Sequence, residues 1–530
     1  MSLQQNKLCC LIVRELFGEV AESVTHLLLR GAAPLNRVCP PGVMKQKAKR
    51  ALAALMHHGL VNFVSQGSLV LYSIDALAVQ RILRYPRYLQ QMKDNFSDIC
   101  ESIIQELMNH GRLPLSAILF TVGCRVFALD PSKLAVPEIE KHFKLLRKEG
   151  FIEQCPRVTD SESYLKNNEE LVPSFVSKVV IEVDVKAEAI HERIVSSAAD
   201  EGDHPDKNIL WRISGSRFDA QIRDSIVIEA AVRKTDELGG ALVKKMLSDS
   251  SSRLHQDPIV GDISFFVLKS DILKLCLNSL AEKLRDYLEV LQSGTLKIVR
   301  KIGDSGGGQY AIALKDTVDV LTAYAVRSIV QERHGTKAAR VFALMLDNAF
   351  VDQEQIQQTA LIPAKEAKVL TYILSENHFA SVREMRKSVG AGAGAMKSVY
   401  LFHVDLPHVV RGLVERCEKS LGNVLCRKEA EVMDSERLMD KKRRVDALLK
   451  TLVEQGASQE ELKEVDAMIT PPERDLVTKV NYVLDKLSSA ELEIDSTLLL
   501  FQVYLEFDEM AKRKRSSTRG RGRSKRAKAS

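Results

Sequence analysis

Along this chain one pattern of apolar and polar positions recurs four times. A stretch with apolar residues three and four apart runs into a Gly or Asn, and a short β-branched or aromatic run follows. The first instance is ALAALMHHGLV at 51–61 and the second is HFKLLRKEGFI at 142–152. The third runs through 281–291 to Gly294 and then 296–299, and the fourth through 368–375 to Asn377 and then 379–382. The three-to-four spacing predicts helices. Gly or Asn behind each helix suits a left-handed C-terminal cap.

Three of the four copies continue into a second apolar run: LVLY at 69–72, QYAI at 309–312 and VYLF at 399–402. The intervening turns hold Gly67, the glycines of 303–308 and those of 390–394. Helix, strand, Gly-rich turn, strand is the way a winged helix ends. Further helical stretches precede each copy; for the fourth these are 316–334, 338–348 and 353–359, ahead of Pro363. The second copy shows no clear second strand and reads as truncated. The spacing between copies is irregular, which predicts a string of domains and not a solenoid.

Two regions break the pattern. Residues 159–207 carry twelve acids against five bases and read as an acidic, partly disordered linker, although VVIEVDV at 179–185 could pair as a strand. From 406 to 507, narrow apolar stripes run on highly charged helices. They are Leu413, Cys417, Leu421 and Val424; then Leu438, Val445, Leu449 and Leu452; and, after Pro471-Pro472, Leu476, Val480, Leu484 and Leu487. Such stripes predict a helical hairpin or short coiled coil, and the last is the candidate partner interface. The expected fold is mainly α with small β wings: winged helices at 1–88, 89–158, 208–314 and 315–405, the linker at 159–207, a hairpin at 406–510 and a disordered basic tail at 511–530.

Charge changes this picture in one respect. The formal net charge is +6, but residues 512–530 contain ten Lys or Arg and no acid. Without those ten, the 66 remaining Lys and Arg are outnumbered by the 70 acids, so any nucleic-acid contact by the body must come from local patches. The nine cysteines form no CxxC, which fits reduced thiols and no zinc site. No apolar run is long enough to span a membrane.

The motifs that suggest catalysis lack their partners. GDSGG at 303–307 resembles the nucleophile segment of chymotrypsin-type proteases, with Ser305 as nucleophile, but no His–Asp pair on an all-β scaffold accompanies it. A wing turn accounts for its glycines. No Lys-Ser/Thr follows to make a P-loop. His57-His58 has no further metal ligands at suitable spacing. The expectation is no catalytic residue, no metal and no cofactor. Three basic clusters are candidate phosphate contacts, with a plain solvated face as the alternative for each. They are Lys45, Lys47, Lys49 and Arg50 at the start of the first domain's last helix, Lys297, Arg300 and Lys301 beside the third wing, and Arg383, Arg386 and Lys387 leading into the fourth. Lys512, Arg513, Lys514 and Arg515 form a candidate nuclear-import run.

Four segments in order, LRYPRYL at 83–89, GDSGGGQY at 303–310, VQERHG at 330–335 and IPAKEAK at 362–368, resemble signatures of the large winged-helix subunit specific to RNA polymerase III. That subunit is often compared with the α subunit of TFIIE. The resemblance covers about residues 7–510. It implies four winged helices and a C-terminal coiled coil, with no active site of its own. It also implies a peripheral heterotrimer with two other polymerase subunits on the clamp of the largest subunit, and support for promoter opening and initiation of small untranslated RNA genes with a TFIIIB-type factor. The location implied is the nucleus; from its small basic patches the expected promoter DNA contact is weak and non-specific. The basic tail departs from that pattern. The competing readings are a free-standing winged-helix transcription regulator, which the acidic body disfavours, and a winged-helix scaffold of another large complex, which usually carries one such domain rather than four.

Overall fold

The computed structural model describes residues 2–40, 42–66, 69–129, 136–155, 194, 206–253, 267–268, 278–304, 308–387, 397–455 and 459–527. Helices dominate, and the strands form small antiparallel sheets. By contact the chain divides into two compact units, Met1–Asn95 with Glu415–Ser496, and Phe96–Val414 with Thr497–Ser530.

In the first unit, helices Leu3–Phe17 and Glu19–Leu28 turn on Gly18, whose φ of 82° only glycine adopts cheaply. Helix Lys45–His57 follows, then a hairpin in which Val61–Gln66 pairs with Leu69–Ile74 from Val61↔Ile74 to Gln66↔Leu69. Leu8, Ile12, Val24, Leu52, Leu55 and Leu60 make the core. Helix Ala76–Arg81 is capped by Asp75, and LRYPRYL continues through one 3-10 turn into Tyr85–Asn95. Helix Leu406–Asp434 contributes its part from Glu415 onward, followed by Glu436–Glu454, Gln459–Asp466 and helix Pro471–Ala527 as far as Ser496.

Two buried polar links tie these helices to the winged helix. Arg84 Nε donates to both carboxylate oxygens of Asp495 at 3.0 Å, with both side chains almost fully buried. Buried Glu418 accepts from Ser2 Oγ at 2.9 Å and from Gln80 Nε2 at 3.1 Å. Burial raises the Glu418 carboxyl above the ordinary glutamate range, and the two hydrogen bonds offset this only in part. The folded chain therefore keeps this proton at pH values where the unfolded chain has lost it. Its stabilising contribution is complete in acid and declines as pH rises from the ordinary value of 4.5 through the raised one. Glu418→Gln should remove that decline. Urea midpoints of the two proteins, measured across this range, should diverge toward neutral pH in favour of Gln; parallel curves would sink the argument.

The second unit holds three modules, each of three helices followed by strands. The first has Asp98–His110, Leu115–Leu129 and Val136–Lys148. Its strand Ile152–Gln154 pairs with Trp211–Ile213, from beyond the acidic segment. The second copy therefore has a second strand, which the sequence pattern did not show. Asp206 reinforces the closure, accepting from the backbone N of Ser116 at 2.7 Å and from its Oγ at 2.8 Å, and Trp211 meets Phe143 edge-on at 5.2 Å. The possible strand at 179–185 lies outside the described residues.

The next module has Gly215–Lys234, Glu237–Arg253 and Asn278–Gln292, with strand order Val267–Leu268, Gln309–Ile312, Val299–Gly303. Its strand begins at Val299 and not at 296, because Leu296–Ile298 fold back under the helix end, with Ile298 N donating to Leu291 O at 3.1 Å. The last module opens with Leu314–Asp347, which breaks at Gly335 (φ 85°), as the two predicted stretches imply. Gln353–Ala360 carries a capping box from Asp352 and Gln355, and Ala364–Glu376 starts behind Pro363. Strands Ser381–Lys387 and Lys397–His403 form its wing. The left-handed residue after the last helix is His378 (φ 62°) and not Asn377, whose side chain instead donates to Ile373 O at 2.9 Å.

The segment from Lys512 continues helix Pro471–Ala527. Lys, Arg and Ala favour helix, and Asp508–Lys512 (2.6 Å) and Glu509–Arg513 (3.8 Å) pair one turn apart.

Candidate nucleic-acid and partner surfaces

The first recognition helix, Lys45–His57, points Ala48, Leu52 and Leu55 inward and leaves Lys45, Lys47, Lys49 and Arg50 exposed. No acid lies in its thirteen residues, and these four cations make no ion pair among the described residues. Placing Lys45 and Lys47 in the first turn goes against the helix dipole, which favours anions there by a few tenths of a kcal/mol or more. The same dipole and the uncapped N–H groups favour a bound phosphate. Helix stability does not explain this arrangement, and the four residues remain candidate phosphate contacts. His58 packs edge-on against Phe17 at 5.0 Å, which gives the His57-His58 pair a structural role.

The other clusters differ from this one. Lys297 and Arg300 are exposed beside the third module's wing. Lys301 is paired with Asp304, so it is the weakest phosphate candidate of the three. Lys234 Nζ holds the turn before this strand, donating to Ser293 O at 2.7 Å and Leu296 O at 2.5 Å. Ser305 lies outside the described residues. Arg383 is exposed on the fourth wing and stacks over the Phe350 ring at 5.5 Å. Arg386 and Lys387 continue its strand, with side chains outside the described residues.

On helix Pro471–Ala527, Leu476 is 52% exposed, and Val480, Leu484 and Leu487 are half-buried. In the hairpin, Val445, Ile469 and Val477, the residue next to Leu476, are buried. Lys441 Nζ closes the base of the hairpin onto both Glu473 oxygens at 2.8 Å. The candidate stripe is therefore not the tightly packed seam. The side chains of Lys514 and Arg515 lie outside the described residues, while Lys512 and Arg513 are exposed.

Three family models match these parts. Residues 7–66 match the RNA polymerase III subunit RPC82 helix-turn-helix domain, 326–404 the POLR3C C-terminal winged-helix domain, and 437–500 the RNA polymerase III subunit RPC3 helical hairpin domain. The human DNA-directed RNA polymerase III subunit RPC3 is 30% identical over 535 residues, covering 96% of this chain and 99% of its own length. The chain belongs to the RPC3 family. The zebrafish RPC3 subunit is 28% identical over 95% of this chain and 99% of its own length. The rpc3 subunit of Dictyostelium discoideum is 23% identical over 46% of this chain and 38% of its own.

The RPC3 models divide the candidate residues. The helix-turn-helix match contains Lys45, Lys47, Lys49 and Arg50, and the winged-helix match contains Gly335, Ala364–Glu376 and the Arg383 wing. The hairpin match contains the Leu476 stripe and Asp495. Lys297, Arg300, Lys301 and the run from Lys512 fall outside all three. Sequence reasoning singled out LRYPRYL but missed that its Arg84 is held by Asp495, a partner 411 residues away. It also missed Glu418, whose only sequence signal is an acid among the apolar positions of its helix.

Proposed function

We propose that this chain is a non-catalytic subunit of RNA polymerase III that holds promoter DNA during initiation through the first recognition helix. The observation that carries this reading is the exposed, acid-free cationic face of Lys45–His57, on a body whose charge is otherwise acidic. In this reading the protein sits on the clamp of the largest subunit with two peripheral partner subunits. It supports promoter opening together with a TFIIIB-type factor, on genes for small untranslated RNAs, and needs no active site or cofactor of its own. Lys297, Arg300 and Arg383 add backbone contacts from the wings. Residence is nuclear, with Lys512, Arg513, Lys514 and Arg515 as the import run.

Changing Lys45, Lys47, Lys49 and Arg50 together to alanine in the full chain tests the DNA contact. If each cation meets one phosphate, the log–log salt slope of duplex binding should fall by roughly three to four, at about 0.9 per contact. Assembled into the polymerase, the same variant should lose more initiation on closed promoter duplex than on a template with a pre-opened bubble. An unchanged slope would remove the helix from the DNA path. Tight, sequence-specific binding by the free chain would favour a free-standing regulator instead.

A further inference from the structure

The first and fourth recognition helices do not present the same chemistry. Where Lys45–His57 exposes cations, Ala364–Glu376 exposes Lys365, Lys368, Val369 and Tyr372 along one side, with Ala367, Thr371 and Leu374 turned into the core. Val369 is 56% and Tyr372 66% exposed, one helical turn apart. Their spacing sets the two side chains next to each other on the helix surface. Neither residue type reads a base edge as Arg, Lys, Asn or Gln does. Tyrosine is instead among the residues enriched at the centres of protein interfaces.

The charges around this pair have a definite sign. Lys365 and Lys368 make no ion pair among the described residues. The one acid near the start of the helix, Glu366, is already held by Lys337 at 2.6 Å. What remains is an apolar pair flanked on its N-terminal side by two free cations. We propose that this face docks an acidic amphipathic helix of another protein in the polymerase assembly. Val369 and Tyr372 receive its apolar residues, and Lys365 and Lys368 its carboxylates. This inference is independent of the DNA contact assigned to Lys45–His57, which lies in the other unit of the chain.

The test is a full chain carrying Tyr372→p-benzoyl-phenylalanine, assembled into purified RNA polymerase III with promoter DNA and irradiated. The crosslinked product is then identified by mass spectrometry. The expected product is a peptide in which acids outnumber bases and apolar residues recur three and four apart. Adding Lys365→Glu and Lys368→Glu should cut the yield about tenfold, since like charges facing each other in an interface are strongly disfavoured. All of these positions are exposed, so thermal melting of the chain should not move. If it does, Lys365→Gln with Lys368→Gln repeats the charge test without reversal. The inference is overturned by a crosslink to DNA, to a peptide without excess acid or to a second copy of this chain. It is equally overturned if no crosslink forms in the assembled enzyme, or if the yield ignores both charge variants. The salt slope of DNA binding set by Lys45–Arg50 should be untouched in every variant, which separates this result from the outcome of the DNA experiment.

Discussion

Replacing Asp495 with alanine should destabilise the first unit by about 3–5 kcal/mol, the cost of leaving one member of a buried ion pair alone. Arg84 and Asp495 are 3% and 1% exposed, so water cannot take over the role of the missing carboxylate. The neighbourhood makes the loss worse. Burial already holds the Arg87 guanidinium below its ordinary pKa, and the Asp495 charge pushes the other way. Without Asp495, the like charges of Arg84 and Arg87 lose one of the anions that offset them, leaving Glu493 beside Arg87. Arg84→Lys should cost less, since a lysine keeps the charge but loses the fixed geometry with which the guanidinium meets the carboxylate. Replacing both partners, as Arg84→Met with Asp495→Leu, should recover much of the loss, because no uncompensated charge is left buried. Urea unfolding of the full chain followed by circular dichroism checks the series, through the midpoint of the transition that includes the first unit. A loss under about 1 kcal/mol for Asp495→Ala would show that the site admits water.

This pair also marks the limit of what could be read from the chain. Local signals were legible wherever a residue has few alternatives. Gly59, Gly150 and Gly294 follow their helices with φ of 72°, 81° and 77°, the left-handed caps that their positions imply. Gly335 breaks a helical stretch that would otherwise read as continuous. Pairings at a distance were not legible. Nothing in LRYPRYL says that Arg84 seeks an aspartate at 495, and nothing in Trp211-Arg212-Ile213 says that its strand joins a sheet begun before the acidic segment. Register is set by burial of a shared face, which a single sequence does not display. The basic run after Lys512 lies in helix Pro471–Ala527, although Gly520 and Gly522 within it disfavour helix. Among the candidate sites, charge clusters could be found but not ranked. Only the structure separates Lys45, free and exposed, from Lys301, tied to Asp304.

The helical hairpin shows the same ambiguity, and there it can be resolved by experiment. Residues 476, 480, 484 and 487 keep helical spacing, but so does any stripe one position away, and it is Val477 that is buried. Val480 and Leu484 remain half-buried in the isolated chain. Aspartates at both positions can therefore reach water there, and the helix should hold. In an assembly that covers the stripe they would be buried without partners, at several kcal/mol together. Even about 4 kcal/mol is a loss of roughly a thousandfold in affinity. Val480→Asp combined with Leu484→Asp should thus abolish co-purification with polymerase core subunits while the circular dichroism of the free chain stays as it was. Val477→Asp is the contrasting change, since it puts a charge into the closed seam and should lower the helical signal directly. If the double variant loses helicity as Val477→Asp does, the stripe closes the hairpin and is not the anchor. If it loses neither helicity nor co-purification, the polymerase is held by another face of this chain.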